Sequence, residues 1–121
     1  SILELGAGCG VPGLTVALYS HAKSIHVTDV NPVTIRNLQY NVDLNANRIS
    51  TKNNSSEEEV SKTIEDWIER IKASAIDWGD KSTWPDEKVD FVIGSDLIYQ
   101  KTIVPVPLLK TVISGLLKQD G

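Results

Sequence analysis

The sequence predicts an α/β fold, a parallel sheet with helices on both faces, and two observations carry that expectation. Short apolar or β-branched runs alternate with segments of helical periodicity from one end of the chain to the other. The first run, Ser1-Ile2-Leu3-Glu4-Leu5, leads into a turn dense in glycine, Gly6-Ala7-Gly8-Cys9-Gly10-Val11-Pro12-Gly13, and then into a helix. Strand, glycine turn and helix N-terminus in that order let backbone approach a ligand closely and present unpaired N–H groups to it.

The elements follow in turn. Ser1–Leu5 is the first strand, apolar enough to be buried on both faces. Pro12 suits a first helical turn, and Leu14, Val16, Ala17 and Leu18 carry that helix to about Ser20. Residues 24–29 alternate, are β-branched and end in an acid, Asp29, which makes them the second strand. Asn31 is a good N-cap and Pro32 a good first helical residue. The second helix then carries Ile35, Leu38, Val42 and Asn45 at helical spacing. Residues 45–56, polar and rich in Asn and Ser, read as a loop.

Ser56 and Glu59 have the spacing of a capping box. The third helix they open carries a stripe of Val60, Ile64, Trp67, Ile68 and Ile71. Residues 47–72 read as an insertion that covers an edge or docks on the body, a tolerated surface element more than a partner site. Residues 73–78 are a short third strand, residues 79–87 a loop, and residues 89–94 the fourth strand. The last helix runs from about Pro105 to Lys118, with Leu108, Leu109, Val112, Ile113, Leu116 and Leu117 on one face.

With 121 residues, the chain is at most one domain, 1–121, and is expected to be part of one. Its 40% hydrophobic and 23% charged content fits a soluble globular protein. No apolar run approaches the ~18 residues of a membrane span. The net charge of −4 argues against a basic surface that grips nucleic acid. One cysteine rules out an internal disulfide and suits a reducing compartment, the cytoplasm or the nucleus. The chain holds no methionine, so the expectation is an internal fragment of a larger domain. Its fourth strand would then be an open edge, and the fragment alone would have little activity.

The glycine turn supports two overlapping registers. Gly8-Cys9-Gly10-Val11-Pro12-Gly13 matches the dinucleotide fingerprint G-x-G-x-x-G, with Asp29 at the spacing of its ribose acid. The second register begins earlier, Glu4-x-Gly6-x-Gly8-x-Gly10, and resembles motif I of the S-adenosylmethionine-dependent methyltransferases, whose sheet is Rossmann-like. Gly6 already ends the apolar run, which favours the second register. It also gives Glu4 a use, since an acid there can engage the ammonium of the methionine portion. Asp29 can accept from ribose hydroxyls in either register. Asp77 can accept from an adenine amino group and Trp78 can stack on its ring; a loop acid and a packed indole are equally good readings of that pair. Trp67 reads as packing, and Trp84-Pro85 as a loop anchor.

Beyond the fourth strand, Ser95-Asp96-Leu97-Ile98-Tyr99 narrows the resemblance. With the glycine turn, Val27-Thr28-Asp29, Asn37-Leu38 through Asn41-Val42, Asp77-Trp78-Gly79 and Val89 to Asp96, it resembles the seven-β-strand protein-lysine methyltransferases called family 16. These carry a D-x-x-Y motif after the fourth strand, matched here by Asp96 and Tyr99. The likeness covers nearly all of the chain outside residues 47–72. It implies a Rossmann-like methyltransferase fold, S-adenosyl-L-methionine as cofactor and the lysine side chain of a protein as acceptor. It also implies that Gly6, Ala7 and Gly8 contact the cofactor by backbone, that Asp29 holds the ribose, that Trp78 faces the adenine and that Ser95 borders the cofactor. Asp96 and Tyr99 would shape the entrance for the target side chain. Without the resemblance, a cap for Asp96 and packing for Tyr99 are the simpler readings.

Three other functions compete: methylation of a small molecule such as nicotinamide, a nicotinamide-dinucleotide oxidoreductase in the other glycine register, and a binding module without catalysis. Cys9 reads as a small loop residue. His21 and His26 fit no metal pattern, and Glu57-Glu58-Glu59 reads as a solvated helix start.

Overall fold

The computed structural model describes residues 1–51, 56–98 and 106–119. The elements run β1 (Ile2–Leu5), α1 (Val11–Tyr19), β2 (Ile25–Asp29), α2 (Pro32–Thr51), α3 (Glu57–Arg70), β3 (Ile71–Ala75), a 3-10 turn (Lys81–Thr83), β4 (Phe91–Gly94) and α4 (Val106–Leu116). Among the described residues, the four strands form one parallel sheet in the order β3-β2-β1-β4. The order reverses at β1, which pairs with β2 on one side and β4 on the other. In open α/β sheets the crevice at such a reversal, beyond the C-terminal strand ends, is where ligands bind.

Two apolar layers sandwich the sheet. Ile25 and Val27 of β2 point toward Leu14 and Ala17 of α1, Leu38, Val42 and Ala46 of α2, and Trp67 of α3. Leu3 and Leu5 of β1 point the other way, toward Ile76 and toward Leu109, Val112 and Leu116 of α4. The alternation is that of strands covered on both faces. Beyond α4 the chain returns to the sheet, where Val89 N–H donates to Leu116 O at 2.8 Å and Lys118 N–H to Val89 O at 2.9 Å.

Three expectations change. Residues 45–51 are helix rather than loop, since α2 continues to Thr51. Asn45 Nδ2 donates to Asn41 O one turn back at 2.8 Å, and Ala46 and Ile49 face the core. Packing against α3 outweighs the weak helix propensity of the Asn residues; residues 52–55 lie outside the described residues. The third strand starts at Ile71 and stops at Ala75, because it takes its register from β2, Ile25 opposite Ile71 and Asp29 opposite Ala75. Ile71 is thus strand, not helix stripe, and Asp77-Trp78 lie in the turn past the strand. Ile68, also expected on the stripe, is 47% exposed. The remaining ends shift by one or two residues: β4 begins at Phe91, with Val89 making an isolated bridge to Leu117, and α4 ends at Leu116.

Other expectations stand. The capping box is complete, with Ser56 Oγ accepting from Glu59 N–H and Glu59 Oε2 from Ser56 N–H at 3.0 Å. Trp67 is packing: it is 3% exposed, and its indole N–H donates to Val42 O at 3.0 Å. Trp84 anchors its loop through an indole N–H to Asp77 O at 2.9 Å. Among the described residues β4 is an edge strand, and its Phe91 is 64% exposed. Within the span 47–72, residues 47–51 close α2, Glu57–Arg70 form α3 against it, and Ile71 opens β3.

Candidate active site

The glycine turn leaves β1 at Leu5. Gly6, Gly8 and Gly10 have φ of 58°, 56° and 78°. This left-handed region costs an L side chain about 1–2 kcal/mol, so the spacing of the three glycines follows from the path of the backbone. Ala7 N–H donates to Thr28 O at 2.8 Å and Gly10 N–H to Ala7 O at 2.8 Å, closing a tight turn against the end of β2. Asn41 of α2 donates from Nδ2 to Cys9 O at 2.9 Å. A Cβ built on Gly8 would meet nothing within 4 Å, so open space lies over the middle of the turn.

Glu4 is 1% exposed, and its Oε2 accepts from Gly13 N–H at 2.9 Å. Gly13 lies in the first turn of α1, whose N–H groups have no helical partner, and the carboxylate satisfies one of them. A Cβ at Gly13 would run into Val27 and into that carboxylate. Burial pushes the Glu4 carboxyl up from its ordinary pKa, and the Gly13 bond works against that rise. The side chain placed by sequence beside an ammonium is, in the folded chain, turned behind the loop to hold α1 to β1. Thr28 Oγ1 donates to Glu4 O at 2.6 Å and ties the same residue to β2.

Asp29 ends β2 with its carboxylate on the glycine turn. Oδ2 accepts from Gly8 N–H at 3.2 Å and Oδ1 from Asn31 N–H at 3.0 Å. Each oxygen keeps a lone pair for a further donor. Asp29 O also accepts from Ile76 N–H at 3.1 Å, which leads the chain from β3 toward Asp77-Trp78. Asp77 Oδ1 accepts from Gly79 N–H at 2.8 Å, a local turn bond. The Trp78 ring reaches the glycine turn, with Cζ2 lying 3.9 Å from the position of a Cβ on Gly6.

β4 runs beside β1 in a register that sets Leu5 opposite Gly94, so Gly6 and Ser95 leave neighbouring strands at the same level. Ser95 and Asp96 are exposed, and Asp96 has a φ of 56°. Leu97 folds back over the strand ends and is half-buried. The fold therefore brings Gly6, Ala7, Gly8, Asp29, Trp78, Ser95 and Asp96 to one edge of the sheet. It leaves Glu4 behind the turn and Asp77 at its flank. Tyr99 lies outside the described residues. Thr28, Asn41 and Leu97 received no role from sequence. Nothing in the type of the first two announces a bond to a backbone carbonyl.

Two cavities lie elsewhere. One of about 480 Å³ borders β3 and is lined by His26, Lys72, Ser74 and Trp84 among others; one of about 330 Å³ lies between α1, α2 and α3. Burial, then the nearby Lys72, pushes the His26 imidazole down, with Glu87 opposing. Neither cavity reaches the glycine turn, which faces open space. Among the described residues no helix is long and apolar enough to cross a membrane.

Comparison with known proteins gives the arrangement its context. A family model described as lysine methyltransferase matches residues 1–121. An uncharacterized protein of Dictyostelium discoideum is 26% identical over 115 residues, which is 85% of this chain and 31% of the relative. The chain thus spans about a third of the length of that relative. With the family model matching its whole length and a four-stranded parallel sheet carrying the glycine turn at its reversal point, the chain belongs to the lysine methyltransferase family.

Proposed function

We propose that this chain forms the cofactor side and the acceptor entrance of an enzyme that transfers a methyl group from S-adenosyl-L-methionine to a lysine side chain of a protein. One observation carries the reading beyond family membership. The glycine turn and the Asp96 turn leave adjacent, register-paired strands, Leu5 opposite Gly94, so a ligand in one and an acceptor at the other share a crevice.

The residues present fit the cofactor. The space over Gly8 admits a group close to backbone, and Asp29 stands beside it with acceptor capacity to spare. In this reading Gly6, Ala7 and Gly8 hold the amino-acid portion by backbone, Asp29 the ribose, Trp78 and Asp77 the adenine side, and Ser95 the wall toward the acceptor. Glu4 contributes from behind, bracing the turn through Gly13. S-adenosylmethionine, when bound, supplies a methyl group already activated by its sulfonium.

The acceptor needs more from the protein. A lysine amine has a pKa of about 10.4 in water and must lose its proton before it can attack. Asp96, exposed at the crevice, attracts the incoming ammonium and orients it. Withdrawal of the side chain from water then favours the neutral amine. Tyr99 completes the entrance by hydrogen bonding or as a wall. Holding the amine in line with the methyl supplies most of what catalysis requires. We place the protein in the cytoplasm or nucleus, and its partner is the substrate protein, with no nucleic acid involved.

The test uses the full-length protein, tritiated S-adenosylmethionine and cell lysate resolved by size. Label is expected in protein. Label confined to small molecules would turn the reading to a small-molecule N-methyltransferase. Asp96→Ala is expected to lower transfer at least 100-fold with S-adenosylhomocysteine affinity kept within threefold, and Asp29→Ala to weaken that affinity at least tenfold. Full activity in Asp96→Ala would remove the acceptor assignment. A thermal midpoint raised by NAD and not by S-adenosylhomocysteine would favour the oxidoreductase.

A further inference from the structure

We propose that Leu97 is a positioning residue that sets the distance between the cofactor turn and the Asp96 carboxylate. This rests on the methyl-transfer reading and assigns a role to a side chain that neither the glycine turn nor D-x-x-Y specifies.

Two glycines make a seat for its side chain. A Cβ on Gly94 would lie 2.5 Å from Leu97 Cδ1, and a Cβ on Gly6 would lie 2.6 Å from Leu97 Cδ2. One methyl of the isobutyl group therefore occupies the side-chain space of the last residue of β4. The other occupies that of the first residue beyond β1. The strands are neighbours with Leu5 opposite Gly94, so Leu97 straddles the seam between them. The Trp78 ring flanks the Gly6 end. On its inner side Leu97 packs on the layer that contains Leu3, Leu5 and Ile76.

The backbone explains how Leu97 gets there. β4 ends at Gly94, and Asp96 turns the chain in the left-handed region, φ 56°. That turn sends residue 97 back across the strand ends. Asp tolerates this conformation better than most residues, but it is not a resting geometry for an L side chain. The seated isobutyl group supports the turn. Any change that empties the seat frees Asp96 to relax. One end of the wedge meets the cofactor turn at Gly6 and the other meets Gly94, two residues before Asp96, so its size bears on the separation of the two halves of the proposed site. Displacement of a reacting group by about 1 Å can cost on the order of 10²-fold in rate. Cofactor affinity resides in Asp29 and the turn, which their own hydrogen bonds hold to β2 and α2.

The test uses the full-length enzyme. Transfer of tritiated methyl into lysate protein at saturating cofactor gives turnover, and titration with S-adenosylhomocysteine gives affinity. Leu97→Ala is expected to lower turnover at least tenfold with affinity changed less than threefold. Leu97→Met, which refills the seat, should recover turnover to within threefold of the unaltered enzyme. Turnover in Leu97→Ala within twofold of the unaltered enzyme overturns the proposal, as does a loss of affinity that matches the loss of turnover. Should Leu97→Ala not fold, Leu97→Val is read by the same criteria. The seat is read separately by thermal unfolding. Gly94→Ala should lower the midpoint, and adding Leu97→Ala should cost less in that background than alone; additive losses overturn the seat. An unaltered enzyme that labels nothing overturns the methyl-transfer reading instead, and the unfolding cycle then decides whether Leu97 holds the two turns together.

Discussion

The two turns that make the crevice are built by different means. The glycine turn is held by polar bonds to three elements. Glu4 reaches Gly13, Thr28 reaches Glu4 O, Ala7 reaches Thr28 O, Asp29 reaches Gly8 and Asn41 reaches Cys9 O. Much of that network is buried, where an unmade bond is costly and a made one fixes geometry. The turn after β4 has exposed Ser95 and Asp96, a left-handed backbone at Asp96 and an apolar seat for Leu97. A cofactor of constant shape suits a cradle fixed in advance. An entrance that must admit a protein side chain suits a turn that packing supports and solvent reaches.

Substitutions at the two turns should break in different ways. The largest loss is expected from Gly13→Ala, whose added methyl meets both Val27 and the Glu4 carboxylate. Both neighbours are buried, so the cost should be about 3 kcal/mol, measured by urea denaturation. A loss below about 1 kcal/mol would show that the α1–β1 contact is looser than its geometry.

Next comes Glu4. Glu4→Leu leaves Gly13 N–H buried without an acceptor and should cost about 1–3 kcal/mol. Glu4→Gln keeps the acceptor, removes the charge and should cost far less. Their pH dependence has a definite sign. Burial raises the pKa of the Glu4 carboxyl in the folded chain, so across its titration range the native state holds more proton than the unfolded state. Its contribution to stability therefore falls as pH rises from the unfolded value through the folded one. Glu4→Gln should remove that fall, seen as a flatter profile of unfolding midpoint against pH. An unchanged profile would mean that the carboxylate is not the group titrating.

The smallest effect separates backbone from chemistry at Asp96. Asp96→Gly should hold or raise stability by up to about 1 kcal/mol, since glycine accepts a positive φ, whereas Asp96→Ala should lower it by about 1 kcal/mol. Both should lose transfer alike. If Asp96→Gly kept transfer, the turn and not the carboxylate would be what matters there.

The comparison also explains what could be seen from sequence. The glycine turn was legible because its backbone demands a residue type: left-handed φ at Gly6, Gly8 and Gly10 leaves little choice, and Pro12 marks the helix start. The capping box at Ser56 and Glu59 was legible for the same reason, as chemistry set at a fixed spacing. Residues 45–51 were not legible as helix, because Asn-rich composition speaks for a loop and only contact with α3 says otherwise. The start of β3 was hidden because α3 passes into it without a linker; Ile71 caps the helix and opens the strand at once. The seat of Leu97 was illegible in principle. An apolar residue between Asp96 and Tyr99 has no pattern, and the room it fills is made by two glycines far apart in sequence.

The three tryptophans carry a consequence of their own. Trp67 is buried in the layer formed with α2, hydrogen-bonded to Val42, while Trp78 and Trp84 belong to the opposite layer. The sheet stands between them. Intrinsic fluorescence is thus a report with separate sources: Trp67 emits from the dry packing of α3 on α2, and Trp78 from beside the glycine turn. Variants that keep one indole at a time turn the protein into its own optical probe. Changes at the crevice then register in one signal and loosening of the helical flank in the other.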